Sequence, residues 1–443
     1  MKFYKTFIKL SIFIVLQNVI VLSVNLLDNV MLARFSGQAM AGASIVNQIQ
    51  FVYQQVLTAL AEAVVMIGSQ YWGAKKDKQN RDIAKCALTV GVLVCVLCFV
   101  IVSLFDQPIL SLFTKDEVIL VQAERYLGII RISYAFSMIS TILLGFLRSR
   151  ELVQIGFWLS VAALCTKGLL NYLFIFGKFG IPVLGIEGAA FATLIVRLME
   201  CAIVVIYTLK KTGFSPGQKL AAIAPGFFKD YLKVLSPLFV MALIWSLSTA
   251  LQTVILGNMS STALSANAVS SNLFLMVKAA VTGSALAGGV MIGKVIGEGD
   301  TRAVKEMSKK LQIVFLITAL AGALILYLIR IPVLEYYNLS PEIKTMANQF
   351  LILMSIIYMG MGYQMPTSEG IIKGGGSPSF ILVMNIISIW IIVLPLSWYM
   401  AFVKKAAPIV VLACLNADQI FKCVPVFIKT NYGHWAKKLT RNC

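Results

Sequence analysis

Twelve runs of apolar residues occupy most of this 443-residue chain. A helix needs roughly 20 apolar residues to cross the hydrocarbon of a bilayer, which is about 30 Å thick. Each run is long enough to do so, and the sequence therefore predicts twelve transmembrane helices. The runs lie at residues 8–32, 44–70, 86–105, 126–147, 152–176, 185–209, 231–256, 263–296, 311–329, 346–372, 380–403 and 406–428.

Composition points to the same environment. Hydrophobic residues make up 59% of the chain and charged residues 13%, which is too little polar surface for a soluble protein of this size. The net charge of +19 does not predict nucleic-acid binding, because the basic residues lie between apolar runs and do not alternate with aromatic residues on a polar face. We expect an all-α, multi-pass integral protein of the plasma (inner) membrane, with the lipid bilayer as its surroundings.

The chain contains an internal repeat at an offset of 224 residues. The stretch LLDNVMLARFS at 26–36 returns as ALQTVILGNMS at 250–260. Two copies that each contain an even number of helices have the same orientation in the membrane, so we predict two parallel six-helix repeats. The predicted ranges are 1–209 for the N-terminal lobe, 210–230 for a cytoplasmic linker, 231–428 for the C-terminal lobe and 429–443 for a cytoplasmic tail.

Lysine and arginine residues predict the orientation. The two termini and every second loop contain 24 of them, whereas the remaining loops contain 8. Because basic residues are enriched on the cytoplasmic side, we expect both termini to be cytoplasmic. Lys404 and Lys405, between helices 11 and 12, locally oppose this rule.

Polar residues in the first repeat form three helix faces. A charged group at the centre of a bilayer costs about 2.5–3.5 kcal/mol on insertion scales, so each needs a partner or an aqueous cavity. These faces could meet in one polar chamber. They contain Asn18, Asn25 and Asp28 in helix 1, Asn47, Gln50, Gln54, Thr58 and Glu62 in helix 2, and Lys167 and Asn171 in helix 5.

Two interpretations of the carboxylates in this chamber are open. Asp28 could titrate during transport, because a carboxylate in a medium of low dielectric can exchange a proton near neutral pH. Alternatively, Asp28 or Glu62 could form a buried structural ion pair with Lys167.

The second repeat contains a different polar stripe in helix 8, formed by Asn267, Ser271, Phe274 and Lys278. Lys278 is the counterpart of Gln54 at the 224-residue offset. No carboxylate lies deep in helix 7, so the protonatable groups are concentrated in the first repeat.

An acid–base pair and a methionine-rich run in the second repeat could each have a purely structural role. Asp418 and Lys422, four residues apart in helix 12, predict a structural ion pair. Met361 belongs to a run of methionines and glycines at 359–365. Such a run suits varied apolar ligands, or it fills a core.

The sequence does not contain the pattern of an enzyme. The eight cysteines, including Cys95 and Cys98, lie mostly in apolar runs and indicate packing positions, not a redox or metal site. His434, the only histidine, lies in the tail. Clustered acids, paired histidines, or a Ser or Cys beside a base are not found, and we expect no catalytic residue and no cofactor. A receptor or scaffold role would leave the repeat and the buried Asp28 unexplained.

Several motifs resemble the multidrug and toxic compound extrusion (MATE) family of transporters. The resemblance implies two six-helix lobes around a central cavity that opens alternately to each side. It also implies export of organic, cationic or amphiphilic compounds in exchange for inward H+ or Na+. The motifs are LLDNVMLARFS at 26–36, SQYWGAKK at 69–76, LNYLFIFGKFGIPVLGIEGAAFATLIVR at 170–197, IGKVIGEGD at 292–300, GIIKGGGSPSF at 370–380 and GHWAKKLT at 433–440.

The resemblance also implies which residues couple transport to a cation. The aspartate of helix 1, here Asp28, is the coupling carboxylate of the N-terminal lobe in the family, and an Asn that matches Asn171 lies close to it. Lys167 stands where many relatives have Asn, and this cation could hold Asp28 ionised or replace the coupling ion. Na+ at Asp28 is the one metal ion that the resemblance implies. The predicted cavity-lining residues are Asn25, Asn47, Gln50, Gln54, Glu62, Asn267, Lys278 and Met361.

Besides Lys167, the chain departs from the family pattern at three positions. Phe13 stands where helix 1 usually has Pro, so a bend of that helix is less expected, although helix 7 keeps Pro237. Trp245 (or Ala242) and Gly362 align where some relatives have the acids of a C-terminal coupling site. This argues against Na+ coupling in the C-terminal lobe.

The leading hypothesis is a monomeric secondary antiporter for a small organic substrate, with Asp28 as the cation-binding residue. The alternative is a flippase for a lipid-linked oligosaccharide or a related amphiphile. Several basic residues in the cavity would favour the flippase, and Lys167 and Lys278 are the two candidates.

Overall fold

The computed structural model describes residues 2–214, 225–336 and 340–441, and the regular elements in these ranges are helices, as predicted. The first half contains α1 (Lys2–Phe35), α2 (Gly37–Gly73), α3 (Asp77–Leu104), α4 (Asp106–Ser111), α5 (Glu117–Ile130), α6 (Ser133–Ser149), α7 (Gln154–Phe176) and α8 (Gly185–Thr212). The second half contains α9 (Pro225–Gly257), α10 (Ser261–Glu298), α11 (Thr301–Tyr336), α12 (Pro341–Met365), α13 (Pro378–Asn385), α14 (Leu394–Trp398), α15 (Pro408–Leu415), α16 (Asp418–Phe421) and α17 (Cys423–Tyr432). It also contains π-helical segments at Pro366–Ile372, Ile386–Val393 and Tyr399–Val403.

The described residues contain eleven helical runs that are long and apolar enough to cross a bilayer. α5 and α6, which are bent by 54° at the break between them, are long and apolar enough only as a pair, and counting this pair as one span brings the total to twelve. This total agrees with the twelve spans predicted from the sequence. The predicted fourth span began at residue 126, nine residues after the start of α5, because Glu124 and Arg125 interrupt the apolar run there.

Capping residues explain where several spans begin and end. The side chain of Ser260 accepts a hydrogen bond from the backbone N–H of Ala263 at 3.0 Å and so starts α10. Gly177 ends α7 and Gly299 ends α10, with φ angles of 64° and 85° that glycine adopts without a steric penalty. In contrast, α9 continues through Pro237 as one helix.

Backbone packing divides the chain into two compact units. The N-terminal unit consists of Leu16–Gly68 and Lys76–Leu235, and the C-terminal unit consists of Met1–Val15, Ser69–Lys75 and Ser236–Cys443. Two short segments of the first half, Met1–Val15 and Ser69–Lys75, therefore belong to the C-terminal unit. The lobe boundaries predicted from the repeat assign both segments to the N-terminal lobe. Part of the predicted linker, 215–224, lies outside the described residues.

The last span is interrupted between α15 and α16. At this point the backbone N–H of Asn416 donates to the carbonyl of Ala413, and that of Ala417 donates to Cys414, both at 3.3 Å. Bonds that reach three residues back, as in a 3₁₀-helix, tighten the turn. Asp418 is the first residue after this interruption.

Residues 433–441, which follow α17, are not helical, but hydrogen bonds tie them to the rest of the C-terminal unit. The backbone N–H of Lys437 donates to the carbonyl of Gly375, and that of Leu439 donates to Oε1 of Gln70, both at 2.7 Å. Gln70 donates from Nε2 to the carbonyl of Lys437 at 3.1 Å. The indole of Trp435 is buried against Gly375, where a Cβ would come within 2.4 Å of the ring. The tail is therefore a packed part of this unit.

Candidate functional site

A buried ion pair joins α1 to α7 inside the N-terminal unit. Oδ2 of Asp28 accepts a hydrogen bond from Nζ of Lys167. Asn171 lies one turn after Lys167 and donates from Nδ2 to Oδ1 of Asp28 at 2.7 Å. All three side chains are buried, with exposed fractions of 7%, 6% and 0% for Asp28, Lys167 and Asn171. The structure thus brings together the three residues that were predicted to couple transport to a cation.

Glycines on α7 allow the close approach to α1 that this contact requires. A Cβ on Gly168 would lie 3.3 Å from Cδ2 of Leu27, the neighbour of Asp28. A Cβ on Gly156 would lie 2.6 Å from Oε1 of Gln17. The two helices therefore approach each other along more than one turn.

The pair is balanced in charge, but its surroundings are not completely hydrogen-bonded. Oδ1 of Asn171 is buried and has no hydrogen-bond partner among the described residues. A buried acceptor without a donor costs about 1–3 kcal/mol. Tyr126 of α5 is buried, interacts electrostatically with Asp28 and contacts Thr193 of α8. Oδ1 of Asn171 is therefore an available acceptor beside the carboxylate of Asp28, and a proton or a cation bound at Asp28 could interact with it.

Glu62 belongs to a different interaction. It is half-buried on α2 and interacts electrostatically with Arg148 of α6. The sequence left open whether Lys167 pairs with Asp28 or with Glu62, and the structure places it on Asp28.

The other polar residues predicted for the chamber do not reach this ion pair. Asn47, Gln50 and Gln54 of α2 are half-buried, and Asn25 of α1 is exposed. In the described part of the chain, none of these four side chains is hydrogen-bonded to Asp28. Within the same ranges, no three His, Cys, Asp or Glu side chains are grouped as metal ligands.

A second buried ion pair lies in the C-terminal unit. Nζ of Lys422 donates to Oδ2 of Asp418 at 2.7 Å, which confirms the predicted pairing. Lys422 also donates to Oδ1 of Asn385 at 2.9 Å, and Gln419 donates from Nε2 to Oδ2 of Asp418 at 2.9 Å. Both charged side chains are 4% exposed, and each has a second polar partner.

Lys278 lies about midway along α10 and is half-buried. Its Nζ lies 5.3 Å from the centre of the Trp245 ring on α9, and it interacts electrostatically with Asp418. On the same helical stripe, Oδ1 of Asn267 accepts a hydrogen bond from Oγ of Ser271 at 3.2 Å. The stripe predicted for the second repeat therefore combines a local polar contact with a cation beside an aromatic ring.

Met361 lies in the apolar core of the C-terminal unit. Its exposed fraction is 2%, and it packs with Val281, Ala323 and Tyr358. Of the two interpretations that the sequence allowed, this position corresponds to core packing.

A family model with the description MatE matches residues 14–173 and 237–399. The chain belongs to the MatE family. The match covers most of this MatE protein and both of its halves. The first matched range includes Asp28, Lys167 and Asn171.

Curated relatives of this MatE transporter are similar to it over nearly their whole length. A probable multidrug resistance protein NorM from Thermotoga maritima is 23% identical over 439 residues, which cover 99% of this chain and 94% of the relative. The uncharacterized transporter YisQ of Bacillus subtilis is 22% identical over 402 residues, which cover 88% of this chain and 84% of the relative.

Solved MATE structures have the same fold. A mutant of the Vibrio cholerae MATE transporter VcmN superposes with a TM-score of 0.88 at 18% identity and covers 99% of this chain and 98% of that chain. A transporter of the MOP superfamily from Pyrococcus furiosus superposes with a TM-score of 0.85 at 15% identity and covers 96% and 94%. That protein is described as having a binding pocket of reverse polarity that suggests a different function.

Sequence reasoning missed several residues around the two ion pairs of this MatE protein. Tyr126 follows the charged pair Glu124 and Arg125, and Thr193 stands in an apolar run, so no helical periodicity of polar residues marks either of them. Gln419 and Asn385 could have been noticed as polar residues in apolar spans, with Gln419 directly after Asp418.

Proposed function

We propose that this protein is a secondary active antiporter that exports small organic compounds in exchange for protons, with Asp28 as the coupling residue. Membership of the MatE family supports the export of organic compounds. The buried pairing of Asp28 with Lys167, across two helices, is the observation that supports the coupling role.

Protonation of Asp28 would change the charge of the site. As a carboxylate, Asp28 balances the ammonium group of Lys167. A proton that binds to Asp28 from outside produces a neutral acid and leaves the ammonium group without its counter-charge. Removing one partner of a buried ion pair costs about 3–5 kcal/mol. Lys167 would then move toward water or another acceptor, and the contact between α1 and α7 would weaken.

The positions of Lys167 and Asn171 favour H+ over Na+ as the coupling ion. Lys167 already donates to Oδ2 of Asp28, and Asn171 donates to Oδ1. Na+ needs several oxygen ligands, and here it would bind next to the ammonium group of Lys167, which repels it. A proton needs one lone pair, which an ionised carboxylate still has after it accepts these two bonds.

Antiport follows when protonation and substrate binding disfavour each other. Such coupling is reciprocal: if the proton lowers the affinity for substrate, then bound substrate lowers the affinity for the proton by the same factor. The ion-paired state would therefore bind substrate from the cytoplasm. The protonated state would release it outside.

The test uses purified protein in liposomes with an imposed pH gradient or an imposed Na+ gradient, and it follows the efflux of a lipophilic dye. We expect the pH gradient to drive efflux and the Na+ gradient not to. Asp28→Asn should reduce efflux to that of protein-free liposomes, because an amide does not titrate.

Asp418→Asn is the matched control, since it makes the same change in the other buried pair. We expect it to retain proton-driven efflux, with the folded fraction checked by size-exclusion chromatography. Full proton-driven export by Asp28→Asn would disprove the coupling role. Efflux driven by Na+ alone would disprove the choice of H+.

A flippase for a lipid-linked oligosaccharide, or for a related amphiphile, is the second candidate. Lys278 favours it, because such lipids contain phosphate groups and a cation midway along a span could bind one. The absence of dye transport under either gradient, together with lipid translocation without a gradient, would support this candidate.

A further inference from the structure

The inner charged residues of the N-terminal unit compensate each other. Asp28 pairs with Lys167, and Glu62 interacts with Arg148. Two negative and two positive groups therefore face each other across neighbouring helices. A permanently cationic ligand would have to compete with Lys167 or Arg148 for these carboxylates.

In the described part of the C-terminal unit, by contrast, one carboxylate, that of Asp418, interacts with two cations. Asp418 and Lys422 form an ion pair. Lys278 is a further cation, and it lies about midway between the two ends of α10. Among the described residues, Lys278 interacts with the carboxylate of Asp418, which already accepts hydrogen bonds from Lys422 and Gln419. The charge of Lys278 is therefore incompletely compensated.

The depth of Lys278 excludes contact of its charged group with lipid. At about 1.5 Å per residue, it lies roughly 25 Å from one end of α10 and roughly 30 Å from the other. A charged group at such depth faces a protein interior or a water-filled space. Lys278 is half-buried as a residue, and its ammonium group lies beside the ring of Trp245 inside the C-terminal unit.

Aromatic side chains lie beside this cation. The ring of Trp245 is 5.3 Å from Nζ of Lys278, and Phe274 lies one helical turn earlier. Phe274 packs edge-on to Tyr358 with ring centres 6.0 Å apart. A cation–π contact contributes about 0.5–2 kcal/mol, less than a buried counter-ion would. The arrangement thus offers one positive charge next to apolar rings.

We propose that Lys278 binds a carboxylate of the transported compound while Trp245 and Phe274 contact the compound's apolar part. The substrates would then include amphiphiles with a negative charge, in addition to the cationic compounds that the family resemblance implies. This inference rests on the proposed export function for identifying the bound compound as the transported one.

Binding can be measured in lipid nanodiscs without any gradient, so the result does not depend on whether Asp28 couples transport to protons. The probes are a fluorescent xanthene dye with a free carboxylate and the methyl ester of the same dye, which differ by one negative charge. We expect the acid to bind about tenfold more tightly than the ester, because a hydrogen bond to a charged group contributes more than one to a neutral group.

Lys278→Met should remove this preference by weakening the binding of the acid, and Lys278→Arg should keep it. Lys404→Met is the matched control, because Nζ of Lys404 also lies near an aromatic ring, 6.0 Å from the centre of Tyr399, but at an exposed position near the end of its span. We expect this control to bind both dyes like the wild type.

Two results would overturn the proposal. The first is equal binding of acid and ester by the wild-type protein, which needs no variant. The second is a preference for the acid that survives in Lys278→Met. If Lys278→Met does not fold, Lys278→Gln serves for the same comparison.

Discussion

The two buried ion pairs of this protein combine the same residue types in different geometries. Asp28 and Lys167 are 139 residues apart and join α1 to α7. Asp418 and Lys422 are four residues apart on one turn of the last span. A shift of either helix breaks the first pair, whereas the second remains closed when its helix moves as a rigid body. A pair between two helices can therefore link a change of charge to a movement, and a pair within one turn stabilises that turn.

The pairs also differ in how completely they are hydrogen-bonded. Asp418 and Lys422 have the additional partners Gln419 and Asn385. At the first pair, Oδ1 of Asn171 has no partner in the described part of the chain. We therefore expect the first site to rearrange more easily than the second, as the proposed coupling role requires.

The largest difference between the pairs should appear when both charges are removed. Asp28→Asn/Lys167→Met leaves no unpaired buried charge, so we expect the protein to fold. Proton-driven dye efflux from liposomes should nevertheless fall to that of protein-free liposomes. Asp418→Asn/Lys422→Met should retain efflux, because its pair has a structural role. Equal efflux from the two double variants would contradict this distinction.

Removal of one partner from the intrahelical pair should mainly affect stability. Lys422→Met leaves the carboxylate of Asp418 buried without its cation, which we expect to cost about 3–5 kcal/mol. Thermal unfolding in detergent, followed by intrinsic fluorescence, measures the loss. Lys310→Met provides the comparison, because its partner Glu306 is 3.9 Å away and both side chains are at least half exposed. That pair should contribute about 0–1 kcal/mol, and an equal loss in both variants would show that Lys422 has no special role.

A smaller contrast is expected from glycine substitutions beside the two pairs. In Gly360→Ala the new Cβ would lie 2.6 Å from the backbone carbonyl of Gln419, which cannot easily yield, and we expect a loss of about 1–3 kcal/mol. In Gly168→Ala it would lie 3.3 Å from the end of the flexible Leu27 side chain. Because Ala also favours a helix by about 1 kcal/mol over Gly, this variant should remain within about 1 kcal/mol of the wild type. The same unfolding assay measures both, and a larger loss in Gly168→Ala would show that α1 and α7 pack as rigidly as the C-terminal pair.

The number of spans was predictable because length and hydrophobicity are local properties of the chain. The start of α5 was not, because Glu124 and Arg125 interrupt its apolar pattern. The tight turn at Asn416 and Ala417 has neither Gly nor Pro to mark it. Its geometry depends on contacts with other helices, such as the close approach of Gly360 to Gln419.

The candidate site was predictable only where it depends on local properties of the chain. Helical periodicity places Lys167 and Asn171 on one face of their helix, and the resemblance directs attention to Asp28. The choice between Asp28 and Glu62 as the partner of Lys167 depends on which helices are neighbours, and no spacing along the chain contains that information. The roles of these residues in coupling remain predictions until transport is measured.

The position of Gln70 has a consequence for biosynthesis. Its side chain bonds to Lys437 and Leu439, which the ribosome adds 367 and 369 residues later. Until then, the end of α2 lacks the partners that it has in the finished protein. A nascent chain therefore has to keep this segment accessible during the insertion of ten further spans, and premature termination before Lys437 would leave it unpaired for quality-control proteases to recognise.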